Sequence, residues 1–473
     1  MPPEHSTLAP RRHSIETVSI WALLATFVVP IFIFIPSTAV PFVTTKTFLL
    51  AAGALVALAL YILARLGRGN VIFPPFFLIG ALWLPVIAYA LSATFSGAIF
   101  TNALWGSSIE PDTLGFMLIA TSLGTLVAFM LRRPEHYRSF LNVSAWVFGA
   151  VVVLQILVVG VGQFAPDIIS PAFSILGSFE DLAILLGLGV VGILMALREL
   201  DLSPRAHRAR IAILVGALFL LAIANSTLTW VLVALVSLGL FVEAIMQRKS
   251  KTTDADLDGA TIMDEAPLET DEGNHSLFVP LSVLAVSLFF LVPTIGSQLL
   301  STTGNQQQDT PANYLAKKLN ISIVNVRPSW QSTLLVGQKV YSTAPVFGSG
   351  PGTFGVEWLK HRDAALNSTV FWNIDFSSGI GFIPTSFVTT GFIGILAWVV
   401  FLVLFIAFGL RMLILRTPQD AFVRYVAMFS FIASLYLFTT AIFGLPNTVI
   451  LALAFAFAGL FISTSRYGAN SQQ

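Results

Sequence analysis

Long apolar runs that recur with basic residues at alternate ends constrain this chain more than any other feature. A run of about 20 apolar residues crosses the hydrocarbon of a bilayer as a helix, and only helices or closed barrels satisfy their own backbone there. Twelve such runs can be read: residues 18–36, 47–64, 71–91, 113–131, 140–161, 182–197, 211–224, 227–246, 277–295, 386–410, 421–443 and 449–463. Composition agrees, because a chain that is 56% hydrophobic and 10% charged cannot hide its apolar surface in a water-soluble core. The expected fold class is all-α, an integral membrane protein with about twelve transmembrane helices and one large outer-face loop between the ninth and tenth.

Charge placement tests the count independently. With a cytoplasmic amino terminus, the inner loops hold Arg11, Arg12, Arg65, Arg68, Arg132, Arg133, Arg138, Arg198, Arg205, Arg208, Arg210, Arg248, Lys249, Lys251, Arg411, Arg416, Arg424 and Arg466, which is 18 of the 25 Lys and Arg. Of the remaining seven, six lie in one long polar segment and only Lys46 falls in a short outer loop. Both termini are therefore expected inside. The division that follows is a cytoplasmic tail (1–17), helices 1–8 (18–251), an acidic disordered cytoplasmic linker (252–275), helix 9 (276–296), a large extracytoplasmic loop (297–378), helices 10–12 (379–464) and a cytoplasmic tail (465–473). The first span lacks a small-residue cleavage site and reads as a retained helix.

A net charge of +1 gives no sign of a nucleic-acid surface, and zero cysteines exclude disulfides, thiolate metal sites and a cysteine nucleophile. Asp254, Asp256, Asp258, Gly259 and Glu265 fit the calcium-loop pattern by letter, but a solvated linker without flanking amphipathic helices is the favoured reading. Gly350, Gly352 and Gly355 match the dinucleotide fingerprint, yet no strand or crossover unit precedes them, so a tight glycine turn is expected instead. Inside the spans polar residues are few, chiefly Gln155 and Glu243, and their scarcity counts against ion-coupled transport.

Chemistry is then expected in the long outer segment, with Lys317, Lys318, Arg327, Lys339, Lys360 and Arg362 against Asp309, Glu357, Asp363 and Asp375. A guanidinium holds phosphate oxygens bidentately where an ammonium is a point charge, which singles out Arg327 for an anionic lipid head. Nonspecific contact of these cations with lipid phosphates is the plainer alternative. Trp330, Tyr341, Trp358 and Trp372 fit anchoring at the headgroup level, and their rings also suit sugars.

The run Arg327, Trp330, Pro345, Gly348, Gly350, Gly352 and Phe354, between the ninth and tenth helices of twelve, resembles the large periplasmic loop of the O-antigen ligase and O-antigen polymerase family. Gly177, Phe179 and Asp181 look like that family's turn into its sixth helix, and Gly391 with Gly394 look like the glycine pair that closes the ligase signature. The resemblance implies glycan transfer from a polyprenyl-diphosphate carrier to a glycan or lipid acceptor at the outer face of a bacterial inner membrane. It implies substrate binding by Arg327, with Arg362 or Lys339 second, aided by Trp330, Gly350 and Gly352; no cofactor is expected, and no His, Asp and Glu cluster has metal-ligand spacing, which favours a metal-independent mechanism. Two departures stand out: Ile380 and Gly381 occupy the positions of the ligase His-Asn pair, and no arginine follows Asn225 and Ser226. The proton acceptor is then expected to be Asp375 or His361. A polytopic transporter or flippase, and a non-catalytic glycolipid-binding scaffold of the same fold, remain the other classes.

Overall fold

The computed structural model describes residues 10–33, 42–66, 75–106, 110–258, 272–300, 310–319, 321, 326–368 and 372–469. In chain order its helices are α1 (Pro10–Phe32), α2 (Phe42–Leu66), α3 (Phe76–Phe95), α4 (Phe100–Trp105), α5 (Leu114–Met130), α6 (Pro134–Phe164), α7 (Phe179–Glu199), α8 (Pro204–Ala224), α9 (Thr227–Asp258), α10 (Glu272–Leu300), α11 (Pro311–Lys318), α12 (Trp330–Thr343), α13 (Phe354–His361), α14 (Phe382–Leu415), α15 (Ala421–Phe443) and α16 (Thr448–Ala469). Among the described residues there is no strand. Among the described residues eleven helices are long and apolar enough to cross a membrane, and α5 is a shorter apolar helix of 17 residues at the place of the twelfth expected run. The chain is an all-α multi-pass membrane protein. The calcium-pattern residues from Gly259 to Glu265 lie outside the described residues, and the backbone at Asp254, Asp256 and Asp258 belongs to the end of α9.

The chain forms two compact units. The first holds residues 1–147, 175–177 and 324–473, and α16 is its central post, with its spanning window entirely buried. α16 packs on α5 and α15. The α5 contact is backbone to backbone: a Cβ on Gly459 would collide with the Gly124 carbonyl, so small residues set the approach. Toward α14 and α15 the gap is filled by rings, Phe401 lying 5.3 Å from Phe438 and Phe405 5.4 Å from Phe461.

Because α5 is short, the carbonyls of its last turn lie among side chains and need donors. Arg466 Nη2 donates to Ala128 O at 3.1 Å, Arg132 Nε to Phe129 O at 2.5 Å, and Ser463 Oγ to Leu131 O. Lys46 is likewise not in a loop. It sits within α2, 1% exposed, and its Nζ donates to Ile175 O at 3.0 Å and to Leu176 O at 3.4 Å. Asn447 Nδ2 holds the same Leu176 carbonyl at 3.0 Å, so this short strap is clamped from two helices. The one basic residue that contradicted the charge pattern is a buried structural cation.

The second unit holds residues 148–174 and 178–323, with α7 packed on α8 and α9, and α10 on α9. The two polar residues singled out within its spans have local partners: Gln155 Nε2 donates to Phe173 O at 2.8 Å, and Glu243 pairs with Arg198 at 3.3 Å. Trp230 stacks on Phe290 with ring centroids 5.1 Å apart.

Candidate functional site

The described part of the long polar segment is not a simple loop. It carries α12, α13 and a 3-10 turn at Ala364–Ser368, which share a small core of Val336, Val340, Phe354 and Trp358 closed by Val388 of α14. Trp358 is 2% exposed and Tyr341 packs against the same core, so neither is the headgroup anchor expected of it; Trp330 and Trp372 are exposed. The apolar face of α13 explains this better than an interface does, because it alternates with Glu357, Lys360 and His361 at helical spacing.

Residues 345–352 form a turn that seats on a break in α14. Gly348, Gly350 and Gly352 have φ of 65°, 102° and 71°, and Gly391 inside α14 has φ 68° and ψ −157°, conformations that only glycine adopts without strain. The two segments are stitched through main chain: Gly350 N–H donates to Thr389 O at 2.8 Å, Phe392 N–H to Pro345 O at 3.0 Å and Ile393 N–H to Val346 O at 3.2 Å. A Cβ on Gly391 would lie 2.6 Å from Val346 O, so the approach itself requires glycine. The break leaves α14 with a short outer piece before its main apolar length. Ser92 of α3 pins both partners, donating to Phe347 O at 2.7 Å and sharing Thr389 O at 3.1 Å.

At the same joint lies Asp112, 4% exposed. Its Oδ1 accepts from Tyr89 Oη at 2.7 Å and from Thr389 Oγ1 at 3.1 Å, while its Oδ2 is buried with no hydrogen-bond partner. Burial pushes the carboxyl up to about 7, against the opposing pull of Tyr89, Thr389 and the Gly352 backbone and with a small push from Glu110. Asp112, Tyr89 and Ser92 are absent from the sequence expectations. A signal did exist: Asp112 and Thr113 are two capping-type residues in a row, and Thr113 alone caps α5, accepting from Phe116 N–H at 3.3 Å.

Arg327 stands at a second place. Its Nη1 donates to Phe443 O at 3.2 Å, and the neighbouring Gly444 carbonyl accepts from Phe382 N–H at 3.0 Å. The guanidinium is thereby held at the amino end of α14, which begins after Gly381 with no side-chain cap. Trp330 lies on the same edge, its ring 5.9 Å from Phe443, and Ser329 starts α12 by accepting from Ser332 N–H at 3.1 Å. The remaining expected site residues belong to other neighbourhoods. His361 Nε2 lies 3.4 Å from Glu357, which also holds Lys360 at 2.7 Å, and Arg362 Nη1 donates to Trp372 O at 2.9 Å. Asp375 is exposed and does not cap α14, and Lys339 is exposed on α12. Gly350 and Gly352 belong to the seated turn, not to the Arg327 edge. Among the described residues no group of three His, Asp or Glu could hold a metal ion.

No protein-family model matches the chain, and no curated protein matches it.

Proposed function

We propose that the protein transfers a glycan from a polyprenyl-diphosphate carrier to a sugar or lipid acceptor at the outer face of a bacterial cytoplasmic membrane, with both termini cytoplasmic. The observation that carries this reading is the meeting of Arg327 with the amino end of α14. The positive pole of the helix and a planar guanidinium together favour an anion with several oxygens, and a diphosphate leaving group gains charge as the glycosidic bond breaks. Trp330 beside it supplies a face for a sugar or prenyl chain. The expected proton acceptors, Asp375, solvent-exposed ahead of α14, and His361, held by Glu357, stand apart from the Arg327 edge, so either would have to be brought to it by the bound acceptor substrate.

Purified protein given a polyprenyl-diphosphate glycan should bind and discharge it. Arg327→Ala should lower both roughly a hundredfold, the scale of losing a preorganised contact to developing charge, with Arg327→Lys intermediate. Wild-type transfer by Arg327→Ala would remove the reading. One feature favours a carrier as the second reading: α14 is interrupted beside a buried carboxyl, as in helices that line transport sites. Passage of the lipid across a proteoliposome without discharge would support it, and binding with neither outcome would support a scaffold.

A further inference from the structure

Three arginines converge at the ends of α2, α5 and α16 in the first unit. Arg65 Nη2 pairs with Glu16 at 3.1 Å and its guanidinium lies 5.2 Å from the Tyr61 ring centroid. Arg132 Nη2 donates to the Tyr61 hydroxyl at 2.9 Å, so one tyrosine ties two guanidiniums together. Arg466 completes the group from α16, and Tyr467 fixes the Arg132 backbone by donating to its carbonyl at 2.7 Å.

Capping accounts for only part of this charge. The carboxyl end of α5 carries about half a negative charge, and it uses one N–H from Arg132 and one from Arg466. Among the described residues, neither Arg132 nor Arg466 has an ion pair; Glu16 is the single carboxylate paired with the cluster. Three nitrogens, Arg65 Nε and Arg466 Nε and Nη1, are buried without an acceptor. Burial, with repulsion from Arg65 in addition, pushes Arg132 below its ordinary value. The cluster thus holds more positive charge and more donors than the described residues answer.

We propose that Arg65, Arg132 and Arg466 form a binding site for a phosphate-bearing anion. Guanidinium forks match tetrahedral oxygens bidentately, and two or three of them around one phosphate turn mutual repulsion into shared attraction. The cluster lies at helix ends, the level at which a bilayer presents lipid phosphates, and basic pockets between spans are suited to anionic headgroups. A lipid headgroup and free phosphate offer the same chemistry. This site is separate from the Arg327 edge, and its failure would leave the proposed transfer untouched.

The test uses the full chain in neutral-detergent micelles and follows its thermal midpoint with dioleoylphosphatidylglycerol, dioleoylphosphatidylcholine or inorganic phosphate. A saturable rise with phosphatidylglycerol alone identifies a headgroup, and one with inorganic phosphate identifies the free anion. The apparent affinity should fall at least roughly tenfold in Arg466→Gln, the scale of losing one charged hydrogen bond, and similarly in Arg132→Gln. It should hold in Arg411→Gln, an exposed arginine of α14. Arg132 is only half-buried, so its variant carries the test should Arg466→Gln not fold. No shift with either anion, an equal shift with phosphatidylcholine, or a shift retained in both variants would overturn the site.

Discussion

Asp112 gives the sharpest quantitative prediction. When the glycine turn lifts from the α14 break, its carboxyl returns to water and to its ordinary value of 3.8; seated, burial holds it at about 7. The raised value means the seated state binds the proton more tightly. Seating is therefore strongest below pH 4, weakens as pH rises toward 7, and is level above that. At about 1.4 kcal/mol per tenfold, the whole change is about 4 kcal/mol, or roughly a thousandfold in the opening equilibrium. Hydrogen exchange at the Gly350, Phe392 and Ile393 amides, which carry the stitching bonds, reads that equilibrium directly once corrected for intrinsic rates. Protection should fall between pH 4 and 7 in the wild type. Asp112→Asn keeps an Oδ1 acceptor for Tyr89 and Thr389 but cannot ionise, so its corrected protection should be flat. Protection that rises with pH, or an equal slope in Asp112→Asn, would refute the assignment.

Gly391→Ala should destabilise the protein by about 3 kcal/mol or more, combining the cost of a glycine-only conformation with a Cβ forced against Val346 O, and should lower the melting temperature in detergent. Lys46→Met should cost about 2 kcal/mol by taking the charged donor from the Ile175 carbonyl and leaving the Leu176 carbonyl to Asn447 alone, measured in the same way. Single cysteines at Ser349 and Asp258, in a chain with none of its own, should react with an impermeant thiol reagent from opposite sides of the membrane. Labelling of both from one side would end the twelve-span arrangement.

Spanning helices were legible because lipid imposes a length and a hydropathy on each: the run 277–295 and the span Leu277–Gly296 nearly coincide, as do 421–443 and α15. The interior of the outer segment was not legible to the same degree, since its helices are short and its core is local. Lys46 was misplaced because a lysine beside an apolar run looks like a loop residue; three carbonyl acceptors, distant in sequence, keep it inside. The break at Gly391 was hidden for a related reason. It depends on Gly348 and Val346 arriving from another segment, and a lone glycine in an apolar run does not announce that meeting. Arg327 was readable as a candidate cation of the long polar segment, but its place near the start of α14 depends on the Phe443 and Gly444 carbonyls.

The shortness of α5 has an electrical consequence. Its 17 residues span about 25 Å at 1.5 Å each, against about 30 Å of hydrocarbon. Most of its side chains are buried, so the deficit is met inside the protein by polar groups recessed at both ends. A membrane voltage dropping over this shorter path produces a steeper field there than across the surrounding lipid. The two ends of that path carry the buried Asp112 carboxyl and the Arg132 and Arg466 guanidiniums. One elementary charge moved through the whole of a 100 mV drop is worth about 2.3 kcal/mol, and a proton that stops at one end of the path gains only a fraction of that. The fraction of the field that each end senses is therefore set by how deep the ends of α5 lie, and that depth is fixed by protein packing and not by the thickness of the lipid.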